Sequence, residues 1–333
     1  MTRQPDDADA LIEGVRNGDR RSLARSITLA ESTRPDHRVL ADRILEALLP
    51  LTGGARRIGI SGPPGVGKST FIEAFGMHVI EEHHQLAVLA IDPSSRRSGG
   101  SILGDKTRMI DLSNHPAAFI RPSPGSGHLG GVARRTREAM LLCEAAGFDV
   151  VLVETIGVGQ SEVAVADMVD LFALLVAPGG GDELQGIKRG IMELADLVIV
   201  NKADGDLAPA AGRTRADYTG AVHLLRPKWE AWATEVLSCS AITGVGIADV
   251  WEAVERFGDA LEASGELRQA RATQATAWLW SEIGDTLLER FRNDPDIARI
   301  LPGAEKDVAD GRRTPTEAAR SLLDVFSQRA RTV

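Results

Sequence analysis

Six short runs of consecutive apolar residues, rich in β-branched side chains, lie between residues 57 and 240. Segments with helical spacing separate them. Each run is apolar at nearly every position, which is typical of strands covered on both faces in a parallel sheet. The pattern therefore predicts an α/β fold with a mostly parallel central sheet flanked by helices. The predicted strands are Ile58–Ser61, Ala87–Asp92, Asp149–Glu154, Leu171–Val176, Leu197–Asn201 and Val236–Ser240.

Helical periodicity dominates both ends of the chain. Apolar residues recur at three- and four-residue steps from about Asp9 to Leu51 and again after about Ala248. A break is expected at Asn293-Asp294-Pro295, and a last helix should begin at Pro315, a favoured first-turn position for proline. The sequence thus predicts an N-terminal helical segment at 1–52, a sheet domain at 53–260 and a C-terminal helical arm at 261–333.

Several of the predicted strands end in a polar residue. In an open α/β sheet the ligand crevice lies outside the carboxyl ends of the strands. We therefore expect these terminal residues to gather around one site: Ser61, Asp92, Glu154, Asn201 and Ser240.

Composition narrows the classes of function. The formal net charge is −9, and no long Lys/Arg block is present, which argues against nucleic acid as the main partner. Cys143 and Cys239 lack the spacing of a zinc site or a redox pair, so we expect two reduced, buried thiols. The sequence shows neither a secretory signal nor an apolar stretch that could span a bilayer, so no membrane association and a cytoplasmic location are expected.

The strongest motif is a glycine-rich loop directly after the first predicted strand. It fits G-x-x-x-x-G-K-[ST], in which glycines let backbone N–H groups surround a phosphate and the following helix presents its positive end. Lys68 would reach the β- and γ-phosphates, and the Ser69 hydroxyl would bind Mg²⁺. The motif comprises Gly62, Pro63, Pro64, Gly65, Val66, Gly67, Lys68, Ser69 and Thr70.

A second motif predicts which base is bound. Asn201-Lys202-Ala203-Asp204 matches N-K-x-D, and a carboxylate at the base edge accepts from the N1–H and exocyclic amine of guanine, whereas adenine has no donor at that ring nitrogen. GTP and GDP are the expected ligands. The segment Ser240-Ala241-Ile242 is either an ordinary strand-exit turn or a backbone donor to guanine O6, and the other motifs favour base contact.

Carboxylates at other strand ends predict a magnesium shell. Glu154 begins Glu154-Thr155-Ile156-Gly157, where ordinary small GTPases carry D-x-x-G; the Glu would hold a metal-bound water, and the Gly157 N–H could meet the γ-phosphate. Asp92 and Asp105 are further candidates, although an Asp in a polar loop is usually a solvated cap or turn residue.

Two glycine-rich segments, 93–101 and 178–188, are either switch loops or ordinary solvated connections. No arginine finger can be assigned from the sequence. Lys188 and Gln160 are the candidates for accelerating hydrolysis.

Together these motifs resemble the MeaB/ArgK family of methylmalonyl-CoA mutase-associated GTPases, and Glu154-Thr155-Ile156-Gly157-Val158-Gly159-Gln160-Ser161-Glu162 is the most diagnostic run. The resemblance covers essentially the whole chain. It implies a GTPase that binds an adenosylcobalamin-dependent acyl-CoA mutase, gates cofactor delivery to it and protects it from inactivation. It also implies a homodimer formed through the C-terminal arm and a switch role for the segment 178–188.

Three other functions remain open from the sequence. A metal-inserting GTPase would use similar motifs, but the adjacent His83-His84 pair is more often a solvated helix end than a metal site. A kinase acting on a small or transported substrate would need an acceptor pocket, and none can be located from sequence. A non-catalytic scaffold would bind nucleotide without hydrolysing it. Phosphate release from GTP, with and without a B12-dependent mutase, separates these possibilities.

Overall fold

The described residues form a seven-stranded sheet that is parallel in every pairing. The computed structural model describes residues 7–91, 109–123, 129–155, 161–179 and 189–330. The strand order is β3-β2-β4-β1-β5-β6-β7, which confirms the predicted α/β class. The strands are β1 Arg56–Ser61, β2 Leu86–Ile91, β3 Ala118–Ser123, β4 Val150–Thr155, β5 Leu171–Val176, β6 Leu197–Val200 and β7 Glu235–Ser238.

The strand β3 is absent from the sequence prediction. Its residues, Ala-Phe-Ile-Arg-Pro-Ser, include a charged side chain at Arg121 and a proline at Pro122. Proline cannot donate to a neighbouring strand and is confined mainly to edge strands, and β3 is an edge strand that pairs only with β2. Its edge position thus accounts for a composition unlike that of the buried strands.

Helices flank the sheet and precede it. Side-chain caps mark the first two: Asp7 accepts from the N–H of Asp9, and Asp19 accepts from the N–H of Arg21 and Ser22. The first compact unit is Met1–Gln274, and the last of its helices, α11, continues beyond it. The described α-helices that begin in this unit are α1 Ala8–Arg16, α2 Arg20–Ala30, α3 Pro35–Leu48, α4 Lys68–Glu81, α5 Ile110–Asn114, α6 Leu129–Ala145, α7 Ser161–Ala166, α8 Arg189–Met192, α9 Ala208–Val222, α10 Ile247–Ser264 and α11 Glu266–Asn293.

The main core lies between the sheet and α4. Phe71 and Phe75 of α4 are about 1% exposed, stack with ring centroids 5.4 Å apart, and belong to the same buried cluster as Ile58 and Ile60 of β1. On the other face, a Cβ placed on Gly59 would lie 2.8 Å from Val165 of α7, so β1 and α7 approach closely. Strand β1 is therefore packed on both faces directly before the glycine-rich loop.

Two ion pairs lie at the amino ends of the strands. Arg57 of β1 donates to Glu144 of α6 from Nε (2.6 Å) and from Nη2 (3.1 Å), and their side chains are only 6% and 1% exposed. Arg271 of α11 donates to both oxygens of Asp170, at 2.8 and 2.6 Å, and to the carbonyl oxygens of Gly53 and Ala55. The two arginines at this end of the sheet are therefore each paired with a carboxylate.

A buried aspartate completes that end of the sheet. Asp196, directly before β6, accepts hydrogen bonds from Trp229 Nε1 (2.7 Å), from the Phe172 N–H (2.8 Å) and from Lys228 Nζ (3.2 Å). Burial raises the pKa of Asp196, and the Lys228 charge opposes that rise.

The second compact unit, Ala275–Val333, contains α12 Pro295–Ala309 and α13 Pro315–Ala330. Ile297, Ala304 and Leu322 are buried there, and the rings of Phe291 and Phe326 lie 5.4 Å apart in an edge arrangement. The expected break at Asn293-Asp294-Pro295 and the helix start at Pro315 are confirmed. The boundaries at residues 52 and 260 stay a prediction. Among the described helices, none is both long and apolar enough to cross a membrane.

Candidate nucleotide-binding site

The glycine-rich loop adopts a backbone conformation that side chains would disfavour. Gly62, Gly65 and Gly67 have φ values of +154°, +81° and +92°. A Cβ on Gly62 would overlap the Leu175 carbonyl oxygen, and one on Gly67 would lie 2.9 Å from Asn201 Nδ2. Helix α4 starts directly afterwards at Lys68, so its N–H groups face the loop. This is the strand–loop–helix arrangement that the motif requires to bind phosphate.

The Lys68 ammonium is held at the mouth of this loop. It donates to the carbonyl oxygens of Gly62 (2.7 Å) and Pro63 (3.3 Å). Burial lowers the pKa of Lys68, while the charges of Glu154 and Glu162 raise it. Glu162, 1% exposed, belongs to the diagnostic run, but sequence reasoning gave it no role. Its effect on Lys68 depends on how α7 folds back, and no local pattern reports that.

Asn201 joins the N-K-x-D segment to two other motifs. Its Nδ2 donates to the Val66 carbonyl oxygen at 3.0 Å, and its Oδ1 accepts from the Ala241 N–H at 3.2 Å and from Cys239 Sγ at 3.8 Å. Lys202 Nζ donates to the Gly65 carbonyl oxygen at 2.7 Å. The structure therefore brings the glycine-rich loop, the N-K-x-D segment and the segment after β7 together.

Asp204 carries an oxygen that has no hydrogen bond within the described residues. Its Oδ1 is buried, and the side chain does not cap the short helical turn that follows. A buried carboxylate oxygen without a donor is costly unless a ligand supplies one. The N1–H and exocyclic amine of guanine are such donors, so the residues present fit this base.

The segment after β7 uses part of its hydrogen-bonding capacity internally. Ser240 donates its N–H to the Val245 carbonyl oxygen (2.8 Å), and Ala241 donates to Asn201. The Ile242 side chain is 78% exposed. The contact of Ser240, Ala241 and Ile242 with guanine O6 stays a prediction. Cys239 and Cys143 are free buried thiols, as expected, and burial raises the pKa of Cys239 to about 12.

Two predicted magnesium ligands lie among the described residues. Ser69, like Thr70, is in the first turn of α4, and Glu154 is a buried residue near the end of β4. Within the described ranges, no group of three or more His, Cys, Asp or Glu side chains is placed to hold a metal ion. A serine hydroxyl and a carboxylate are nevertheless suitable oxygen ligands for magnesium beside a triphosphate, which supplies further oxygens. The magnesium role stays a prediction.

Five other predicted site residues lie outside the described residues. They are Asp92, Asp105, Gly157, Gln160 and Lys188.

Two hydrogen-bonded contacts around the site were not predicted from the sequence. The Thr155 hydroxyl at the end of β4 donates to Ser61 Oγ at the end of β1, at 2.9 Å, and both residues are buried. Glu73 of α4 accepts the N–H groups of Asp111 (2.8 Å) and Leu112 (3.2 Å), which caps α5. These contacts fix the chain entering the glycine-rich loop and the helix that follows residues 92–108.

Comparison with known proteins gives a consistent result. A family model described as methylmalonyl Co-A mutase-associated GTPase MeaB matches residues 23–296. The mitochondrial methylmalonic aciduria type A homolog of Mus musculus is 50% identical over 331 residues, covering 96% of this chain and 80% of that protein. GTPase ArgK of Escherichia coli is 49% identical over 313 residues, covering 94% and 95%. A solved structure, described as a LAO/AO transport system kinase, is 40% identical with a TM-score of 0.76, covering 98% and 100%.

Proposed function

The chain belongs to the MeaB family of methylmalonyl-CoA mutase-associated GTPases, and from this membership we propose a specific role. It gates delivery of adenosylcobalamin to a B12-dependent acyl-CoA mutase and protects that enzyme, with hydrolysis of GTP to GDP and phosphate as the switch. The mutase role rests on the family's description. Guanine selectivity rests on one observation in this chain, the buried Asp204 Oδ1, which has no hydrogen-bond partner among the described residues.

Positioning and charge stabilisation account for the chemistry in this proposal. Lys68 moves from the loop carbonyls to the β- and γ-phosphate oxygens, where its charge offsets the negative charge that develops in the transition state. Asp204 holds the base, and Asn201 keeps the base loop and the phosphate loop in register. Ser69 and Glu154 would hold Mg²⁺, which neutralises phosphate charge when bound.

Partner control is assigned to the segment 178–188, with Lys188 and Gln160 as the accelerating residues. Without an arginine finger, hydrolysis by the chain alone is expected to be slow, and a partner that orders such a residue can accelerate hydrolysis by ~10³-fold or more. Lys188→Ala should abolish stimulation by the mutase while sparing basal hydrolysis and GDP binding. An equal loss of basal activity would count against this role for Lys188.

The decisive experiment measures phosphate release from GTP and from ATP, with and without a purified adenosylcobalamin-dependent mutase. We expect slow release from GTP alone, acceleration by the mutase, and little release from ATP. Transfer of phosphate to a small molecule would instead favour the kinase reading. GTP binding without any phosphate release would favour a scaffold.

Assembly and location complete the proposal. The chain acts in the cytoplasm as a homodimer through the arm at 261–333. Sedimentation of the full chain, and of a variant that ends at residue 274, where the first compact unit ends, tests the assembly. A dimer that persists after this truncation would contradict the assignment of the arm.

A further inference from the structure

Four arginines cluster where α6 meets the N-terminal helices: Arg38 on α3, Arg121 on β3, and Arg134 and Arg135 on α6. Arg38 donates to both oxygens of Glu138, at 3.0 Å each, and to Asp42 at 3.2 Å. Arg134 Nε donates to Glu138 Oε1 at 3.3 Å, and Arg121 pairs with Glu31. Three of the four guanidinium groups in this arginine cluster therefore have carboxylate partners.

Arg135 differs from the other three. Its side chain is half-buried, yet the described residues provide no hydrogen bond or ion pair within 4 Å of it. Burial lowers the pKa of Arg135; Glu31 and Glu138 raise it, and Arg38 and Arg134 lower it further. The two carboxylates are thus near enough to act on Arg135, but each is hydrogen-bonded to another arginine of the cluster.

Among the described residues, the ion pairs of the cluster join Arg38, Arg121 and Arg134 to the carboxylates of Glu31, Asp42 and Glu138, and none of these pairs includes Arg135. A guanidinium group that loses part of its hydration without gaining a hydrogen-bond acceptor raises the free energy of the folded state. Arg135 is therefore expected to contribute little to stability. A ligand that brings its own negative charge would remove the cost.

We propose that Arg135 forms an oxyanion-binding site, to which a carboxylate or phosphate group docks through paired hydrogen bonds. The planar guanidinium presents donors in a fork that matches two oxygens of such a group, which a lysine ammonium cannot reproduce. The oxyanion has two sources: a free phosphate ion, or an acidic side chain on the partner mutase. The second source rests on the proposed function, and the first does not.

The first arm of the test uses inorganic phosphate on GDP-saturated full-length protein, so that the nucleotide loop is already occupied. Unfolding temperature is followed as phosphate replaces chloride at constant ionic strength, because a ligand that binds the native state stabilises it in a saturable way. We expect Arg135→Gln to raise the half-saturating phosphate concentration about tenfold, the size of one lost charge-assisted hydrogen bond. Arg135→Lys should recover only part of the binding.

Arg21→Gln is the matched control. Arg21 is exposed on α2 near the same group of helices, so its removal changes the net charge equally. It should leave the phosphate response unchanged and absorb any general effect of phosphate on protein stability.

The second arm measures binding of the same three variants to the purified mutase at low and high salt. If the partner supplies the oxyanion, Arg135→Gln weakens binding about tenfold at low salt, less at high salt, and leaves basal GTP hydrolysis intact. A response to phosphate with unchanged mutase binding assigns the site to a free anion. If neither arm distinguishes Arg135→Gln from Arg21→Gln, the proposal is overturned. If the unaltered protein does not bind the mutase, the proposed function is contradicted. The phosphate measurement would still show whether Arg135 binds an oxyanion.

Discussion

The two ends of the parallel sheet are built on opposite principles. At the amino ends of the strands, charged side chains are paired with one another: the buried Arg57 with the buried Glu144, and the half-buried Arg271 with the buried Asp170. At the carboxyl ends, Lys68 rests on backbone carbonyls and Asp204 keeps a buried oxygen without a donor among the described residues. The named charges at the amino ends are paired with one another, and we call this the closed end of the sheet. The carboxyl ends retain groups suited to a ligand, and we call this the open end.

This contrast predicts which residues contribute mainly to stability and which contribute mainly to nucleotide binding. Paired buried charges hold elements together but offer nothing to a ligand, since their hydrogen bonds are already made. Unsatisfied groups cost stability in the free protein and recover that cost on binding. Substitutions at the two ends should therefore separate cleanly into effects on unfolding and effects on nucleotide.

The largest expected effect lies at the closed end. Glu144→Ala leaves the Arg57 guanidinium buried without its carboxylate, which should lower the free energy of unfolding by about 3–5 kcal/mol. Urea unfolding of the GDP-free protein measures the change, and Glu81→Ala, which removes an exposed carboxylate from α4, is the control. GDP affinity of the folded fraction should stay within about twofold of the unaltered protein, because the contrast places no ligand contact at this end. A large loss of GDP affinity without loss of stability would break the comparison.

At the open end, the expected effect is on ligand choice. Asp204→Asn replaces an acceptor for two guanine donors with an amide that offers only one acceptor oxygen, so GDP affinity should fall about 10²-fold. The free protein should be no less stable, and could gain stability, because the substitution removes a buried carboxylate oxygen that lacks a donor in the described structure. Competition between GDP and ADP, together with thermal unfolding, tests both parts. Unchanged preference for GDP would show that Asp204 does not read the base.

Residues close in sequence were the predictable part of this site. The loop at 62–70 and the segment at 201–204 each carry their chemistry in a short stretch, and buried runs such as 150–155 report their own burial. The strand β3 was missed because an edge strand tolerates Arg121 and Pro122, so its pattern is not that of a buried strand.

Contacts that depend on strand order could not be predicted. Ser61 meets Thr155 across 94 residues because β4 lies beside β1, and Asn201, which follows β6, meets Val66 across 135 residues because only β5 lies between β1 and β6. The partner of Arg57 is decided in the same way, by where α6 packs. Residue types indicate that a charge needs a partner, but the topology selects which one.

A smaller effect is expected at Glu73 of α4, which accepts hydrogen bonds from two N–H groups of α5. Glu73→Ala removes the acceptor for the N–H groups of Asp111 and Leu112, a loss comparable to a helix cap, so stability should fall by about 1–2 kcal/mol. Glu73→Gln keeps an acceptor oxygen and should recover most of that loss. Urea unfolding of both variants measures the difference, and equal stabilities would show that the cap contributes little. A fall in GDP affinity in Glu73→Ala would show that this contact also contributes to nucleotide binding at the open end.

The smallest expected effect concerns the protonation of Lys68. Burial lowers its pKa in the free protein below the ordinary lysine value, so over the window between the two values the unfolded chain binds more protons and stability rises with pH. A bound triphosphate favours the charged ammonium and raises the pKa again. GTP binding at alkaline pH, inside that window, should therefore be accompanied by uptake of a fraction of a proton at Lys68. Calorimetry in buffers of different ionisation enthalpy measures this uptake, and Lys68→Met should abolish it. If proton uptake persists in Lys68→Met, the group that takes up the proton is not Lys68. A second ionisable group at the open end would then respond to GTP binding.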